Sequence, residues 1–130
     1  WYDQVRLMKI AQTLSFILGL VLGIIAIQWL ISPENSANSL NMTYLEGLGR
    51  NTQIRDFTAM FMGTSVMCFF SLVSKQYQWI FSVGLIYLIV AITSIYASFF
   101  FDAPIATSSL VAEIIFATMA FISAFIYKFK

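Results

Sequence analysis

The sequence predicts an all-α integral membrane protein, built as one domain of four transmembrane helices in an antiparallel bundle with both termini in the cytoplasm. Of its 130 residues, 60% are hydrophobic and only 10% are charged, against roughly 45–50% and 25% in soluble domains. Four apolar runs are each long enough to cross a hydrocarbon layer about 30 Å thick. Polar turn residues separate these runs, and positive charges gather on one side of them.

The first predicted span covers residues 10–31 and follows a polar and aromatic segment, residues 1–9, that is typical of a membrane-interface anchor. The apolar run is too long for the core of a signal peptide, which favours a retained helix. Residues 32–49 form the predicted extracytoplasmic loop, which opens with turn and helix-stop residues. Apolar residues recur between positions 40 and 48, so we expect part of this loop to lie on the membrane as a short helix.

The other three spans are predicted at residues 54–73, 79–101 and 105–127. A short polar stretch connects the first two of them. The last connection contains Asp102, which marks the end of the third span and is well placed as a helix cap. Pro104 is tolerated in the first turn of the next helix, where its missing N–H is not needed.

The positive charges predict the orientation of the bundle. With both termini inside, five basic residues lie on the cytoplasmic side and two lie outside, as the positive-inside rule requires. The inside set is Arg6, Lys9, Lys75, Lys128 and Lys130, and the outside set is Arg50 and Arg55.

Each predicted span presents one face of mostly small or polar residues at spacings of three and four. Such faces let helices approach one another closely in lipid, where packing replaces the hydrophobic drive. We therefore expect these faces to point into the bundle. They are Gln12, Ser15, Gly19, Gly23 and Ala26 in the first span; Arg55, Ala59, Gly63 and Val66 in the second; Gly84, Tyr87, Ala91, Ser94 and Ser98 in the third; and Ala106, Ser109, Glu113, Ala117, Ala120 and Ala124 in the fourth.

Glu113 is a carboxylate well inside the last apolar run, about 13 Å from the outer end of its helix. A charge at that depth costs on the order of 3 kcal/mol, so such residues normally face a partner, a cavity or a path. We expect the long side chain of Arg55 to reach inward and pair with Glu113 in the outer half of the bundle. The further candidates for this site are Asp56, Asp102, Tyr87, Ser94, Ser98 and Ser109.

Three roles stay open for the site: a structural ion pair or network, a ligand or ion site, and a contact to another subunit. In a different arrangement, Arg55 lies at the lipid headgroups with Asp56. Glu113 is then protonated and hydrogen-bonded to a neighbouring serine or tyrosine, or it meets another chain.

Catalysis, metal binding and cofactor binding have no basis in the sequence. The chain has no histidine, so the usual triads and the histidine-bearing zinc and haem sites are excluded. It has no glycine-rich phosphate loop. A pocket with one carboxylate in a four-helix frame distantly resembles sterol-isomerase and sigma-type bundles. The resemblance implies more than one inward acid, and only Glu113 is clearly inward here, so a lipid- or sterol-modifying enzyme is disfavoured. The net charge of +1 contains no basic block, which predicts no nucleic-acid partner.

Three segments, GRNTQIRD, FDAP and SSLVAEI, carry a resemblance. Over Gly49–Ala117 the chain resembles a family of small bacterial four-helix membrane proteins catalogued as a domain of unknown function. In that family a tyrosine and paired glycines usually follow the arginine, where this sequence has Thr58, Ala59 and Met60. The resemblance implies a four-helix bundle in the bacterial inner membrane and no activity. It singles out Arg55, Asp102 and Glu113.

Two functions from different classes follow. The first is a small accessory or assembly subunit of a larger membrane complex, with membrane lipids and other membrane protein subunits as partners. The alternative is a binding or transport module for a small amphiphile, an anion or a proton, using Arg55 and Glu113.

Overall fold

The computed structural model describes residues 2–129, and the predictions made for Trp1 and Lys130 fall outside this range. Four helices of the described chain are long and apolar enough to cross a membrane, which confirms the all-helical class and the four candidate spans. A fifth helix is short. In chain order the helices are α1 (Tyr2–Ile31), α2 (Pro33–Ser39), α3 (Leu48–Ser74), α4 (Tyr77–Phe101) and α5 (Thr107–Phe129).

The loop between α1 and α3 contains a helix, but not where the sequence predicts it. Pro33 occupies the first turn of α2, where proline is favoured, and Glu34 complements the helix dipole there. The predicted apolar stretch, residues 40–48, is instead mostly irregular, because Asn41 (φ 59°) and Gly47 (φ 63°) both adopt positive φ.

Gln53 in the first turns of α3 fixes this irregular stretch. Its side-chain oxygen accepts a hydrogen bond from the Leu45 N–H at 3.1 Å, and its nitrogen donates to the Thr43 carbonyl at 3.2 Å. The Arg50 guanidinium donates to the Leu45 carbonyl at 3.0 Å and lies 4.3 Å from the centre of the Tyr44 ring. The loop is therefore tied to the beginning of α3.

Asp102 is a helix cap, as predicted, and the helix that it caps is α4. Asp102 is the C-cap residue of α4, in the left-handed conformation (φ 52°), and its N–H bonds to the Ala97 carbonyl. Aspartate is one of the few residues that tolerate this conformation. The chain then stays irregular through Pro104, and α5 begins only at Thr107.

Close helix contacts occur where the sequence has glycine or a hydroxyl. A Cβ on Gly19 of α1 would lie 3.1 Å from the Cβ of Cys68 on α3. Ser65 of α3 donates to the Gly19 carbonyl at 2.6 Å. A Cβ on Gly84 of α4 would lie 2.9 Å from the ring of Phe121 on α5. These glycines let neighbouring helices approach one another closely.

Most of the predicted small faces point inward. On α1, Ser15, Gly19 and Ala26 are buried, on α4 Gly84, Tyr87 and Ala91 are buried, and on α5 Ala117, Ala120 and Ala124 are buried. The face predicted for α3 was wrong, because Arg55, Ala59 and Val66 are exposed. The buried side of α3 instead carries Gln53, Phe61, Thr64, Ser65, Cys68 and Ser71.

Candidate functional site

A cavity of about 110 Å³ lies where all five helices contribute side chains. Its wall combines one carboxylate, one amide, four hydroxyl groups, and apolar and aromatic side chains. α1 supplies Ile25, Gln28 and Trp29; α2 and the residue after it supply Ser36, Ser39 and Leu40; α3 supplies Met60 and Phe61; α4 supplies Tyr87; and α5 supplies Ser109, Ala112, Glu113 and Phe116. We call this space the Glu113 cavity.

Glu113 is half-buried in the wall of this cavity. Its carboxylate has no basic side chain within ion-pair distance among residues 2–129. The ion pair predicted between Arg55 and Glu113 is therefore absent. In the described part of the chain the ion pair of Arg55 is with its neighbour Asp56, at 3.0 Å between Nε and Oδ1, and both side chains are more than 60% exposed. This matches the different arrangement considered for Arg55 from the sequence.

Helix geometry explains why Arg55 cannot reach the cavity. Successive residues are rotated by about 100° around a helix axis, so Arg55 and Thr64, nine positions apart, lie on opposite sides of α3. Thr64 faces inward, where its hydroxyl lies 2.9 Å from that of Tyr87. The hydroxyls on α3, including the Ser65 group that bonds to α1, set the rotation of this helix and turn Arg55 outward.

Tyr87 links the cavity to α3. Thr64 donates to the Met60 carbonyl at 2.8 Å, so its single proton is engaged and Tyr87 is the donor in their shared hydrogen bond. The Tyr87 oxygen then keeps a free acceptor site. Its ring packs edge-on against Phe116 at 5.4 Å between centroids, which fixes the ring in the cavity wall.

Three polar groups of the wall are buried without a hydrogen-bond partner in the described chain: Trp29 Nε1, Ser36 Oγ and Ser109 Oγ. Trp29 is 0% exposed and Ser36 is 6% exposed. An unsatisfied buried polar group costs about 1–3 kcal/mol. Native proteins leave few such groups, so three in the wall of one cavity require an explanation.

The cavity brings together three of the predicted site residues, Tyr87, Ser109 and Glu113. Ser94 and Ser98 are half-buried farther along α4 and do not line it. Arg55, Asp56 and Asp102 are exposed and lie outside it.

Of the three buried polar groups of the wall that have no partner in the described chain, two belong to residues that were missed from the sequence, Trp29 and Ser36. Trp29 continues the small face of α1 three positions beyond Ala26, so the periodicity could have found it. No periodicity in the sequence pointed to Ser36, because the short helix was predicted at residues 40–48 and not at Pro33–Ser39.

A second polar cluster lies farther along the helices. Ser15 and Ser123 both donate to the Ala11 carbonyl at 2.9 Å, and Tyr127 lies 3.0 Å from the Ser15 hydroxyl. About 15 Å of α5 separates Glu113 from Ser123. Fully buried apolar side chains fill the core between the two regions: Leu18, Leu22, Val83 and Ala120. The Glu113 cavity is therefore a separate polar site.

Within residues 2–129 no group of three His, Cys, Asp or Glu side chains is placed to hold a metal ion. Comparison with protein-family models, with curated proteins and with solved structures gives no match. The resemblance noted over Gly49–Ala117 thus stays a prediction.

Proposed function

We propose that the chain is a binding module for a small amphiphile, held in the Glu113 cavity of an antiparallel four-helix bundle. The supporting observation is that Glu113 shares one cavity wall with three buried polar groups that have no partner in the described chain. A bound molecule that hydrogen-bonds to these groups removes the free-energy cost of leaving them unsatisfied. The apolar and aromatic remainder of the wall suits the rest of an amphiphile.

The proposal includes the antiparallel arrangement of the bundle, its orientation and its membrane. The contacts of Gly19 with Cys68 and of Trp29 with Phe57 run in opposite directions along α1 and α3, which supports an antiparallel arrangement. The distribution of basic residues supports cytoplasmic termini. We propose the bacterial inner membrane as the location, on the resemblance alone.

An anion and a transported proton fit the cavity less well. Within residues 2–129 no lysine or arginine lines it, and Arg55, the residue that would have held an anion, faces outward. A proton path would need to cross the apolar layer of Leu18, Leu22 and Val83, all of which are 0% exposed.

Glu113→Gln tests this function, because it keeps the size of the side chain and removes its charge. The protein is extracted into native-lipid particles, and the small molecules that it releases on denaturation are quantified by mass spectrometry. We expect the substitution to reduce the retained amphiphile by about tenfold or more, as loss of a charged hydrogen-bond partner does.

Arg55→Gln is the matched control, since it removes the other predicted partner at an exposed position. It should retain the amphiphile at the wild-type level. Equal retention of the amphiphile by Glu113→Gln and the wild type would contradict the proposed site. Loss of the amphiphile in Arg55→Gln alone would show that Arg55, and not Glu113, holds it.

A second candidate function, an accessory subunit of a larger complex, is favoured by the outward face of α3. Ala59 and Gly63 lie four residues apart on this face, and a Cβ on Gly63 would meet nothing within 4 Å in the described chain. Small residues at this spacing are typical of helix–helix contacts in lipid. Native mass spectrometry tests it: an accessory subunit carries other chains that Gly63→Leu releases, whereas an independent binding module does not.

A further inference from the structure

The charge of the Glu113 cavity restricts what it can bind. Among the residues that the structure describes, Glu113 is the one acidic or basic side chain in its wall, and no lysine or arginine compensates it there. An ionised carboxylate removed from water requires a cation or several donors nearby. This inference rests on the proposed function and concerns the chemistry of the ligand head group.

The acceptors of the cavity favour an N–H cation as the group that meets Glu113. An ionised carboxylate can only accept hydrogen bonds. The Tyr87 oxygen keeps one acceptor site after its hydroxyl donates a hydrogen bond to Thr64. A primary ammonium carries three donors and can bond to both. Four aromatic rings in the wall add attraction for a cation: Trp29, Phe61, Tyr87 and Phe116.

The donors of the wall require a second feature in the ligand. Trp29 Nε1 can only donate, and the Ser36 and Ser109 hydroxyls are free to donate as well. An ammonium group cannot accept these bonds. An oxygen acceptor close to the amine can, if both groups fit in the cavity.

The cavity is large enough for such a head group. A single water needs about 10–15 Å³ of such space, and the cavity offers about 110 Å³. The wall residues Gln28 and Ser39 are exposed, so they form its open rim. A longer apolar tail leaves past this rim.

We infer that the Glu113 cavity binds an amphiphile whose head is a primary amine next to a hydroxyl or carbonyl oxygen. The amine donates to Glu113 and Tyr87, and the oxygen accepts from Trp29, Ser36 or Ser109.

Four probes with the same eight-carbon chain test this inference: 2-amino-1-octanol, octylamine, 1-octanol and octanoate. Each is titrated into the full chain held in phosphatidylcholine nanodiscs, with empty nanodiscs as the reference for partitioning. We expect the amino alcohol to bind most tightly, followed by the amine, then the alcohol, with octanoate weakest.

Two variants assign the contacts. Glu113→Gln should weaken both amines by about tenfold or more and leave 1-octanol unchanged, because a charged hydrogen bond is lost. Trp29→Phe keeps an aromatic ring but replaces the indole and removes its N–H. It should weaken the amino alcohol by about two- to tenfold and octylamine by less, because octylamine has no oxygen to accept that N–H. Asp102→Asn, at an exposed position, is the control and should match the wild type.

The outcomes separate the two proposals. Tightest binding of octanoate or 1-octanol overturns the amine head group while an amphiphile site stands. Amine binding that is insensitive to Glu113→Gln overturns both the amine contact and the proposed site at Glu113. Binding of none of the four probes above empty nanodiscs overturns the proposed function itself.

Discussion

Single residues in this protein show how strongly local space decides their role. Gly84 and Gly63 are both glycines in apolar helices, yet their surroundings differ completely. A side chain at Gly84 would meet the Phe121 ring at 2.9 Å, whereas one at Gly63 would meet nothing within 4 Å in the described chain. The two positions therefore form a matched pair for testing the packing between α4 and α5.

Gly84→Ala should destabilise the protein by about 1–3 kcal/mol, because an added methyl group overpacks the contact with Phe121. Gly63→Ala should be neutral or stabilise by up to about 1 kcal/mol, since alanine favours the helix. Equilibrium unfolding in detergent micelles measures both. Equal effects of the two substitutions would contradict the close approach of α4 and α5 at Gly84.

Whole helices were predicted from the sequence more reliably than their rotation. The length and apolar character of the four long runs were enough to predict four long helices. Small residues correctly located the inward faces of α1, of α4 and of the C-terminal half of α5. On α3 two faces compete. The face with Arg55, Ala59 and Gly63 looks suitable for packing. The hydroxyls of Thr64 and Ser65 instead form hydrogen bonds with α4 and α1, so the face that carries them points inward.

The prediction that Arg55 pairs with Glu113 was wrong for the same reason. In lipid a hydroxyl without a partner is costly, and periodicity does not show which hydroxyls on a helix will find partners on its neighbours. The short helix α2, and with it Ser36, could not be placed either, because the loop has no clear helical period.

A substitution of Gln53 tests how α3 holds the loop that precedes it. Gln53→Ala removes both hydrogen bonds to residues 43 and 45 and should speed amide exchange at Leu45 by about tenfold, a loss of about 1–2 kcal/mol of local stability. Hydrogen exchange resolved by residue measures it.

Gln78→Ala is the control for this experiment, because Gln78 is exposed on α4, away from the loop. It should leave Leu45 unchanged. Wild-type protection of Leu45 in Gln53→Ala would mean that the loop is held by other contacts.

The whole molecule divides into two regions with different polar organisation. The cluster of Ser15, Ser123 and Tyr127 is internally satisfied and fixes α1 against α5. The Glu113 cavity, to which all five helices contribute, contains buried groups that have no hydrogen-bond partner among residues 2–129. A fold that satisfies its hydroxyls in one region and leaves donors free in another has the arrangement expected of a stable frame around a binding site.

A structure determined in native-lipid particles would show whether the Glu113 cavity holds a ligand. We predict density for a non-protein molecule in contact with the Glu113 carboxylate and with at least one of Trp29, Ser36 and Ser109. A Glu113 side chain that faces acyl chains outside the bundle, or a cavity closed by the protein's own side chains, would contradict this prediction.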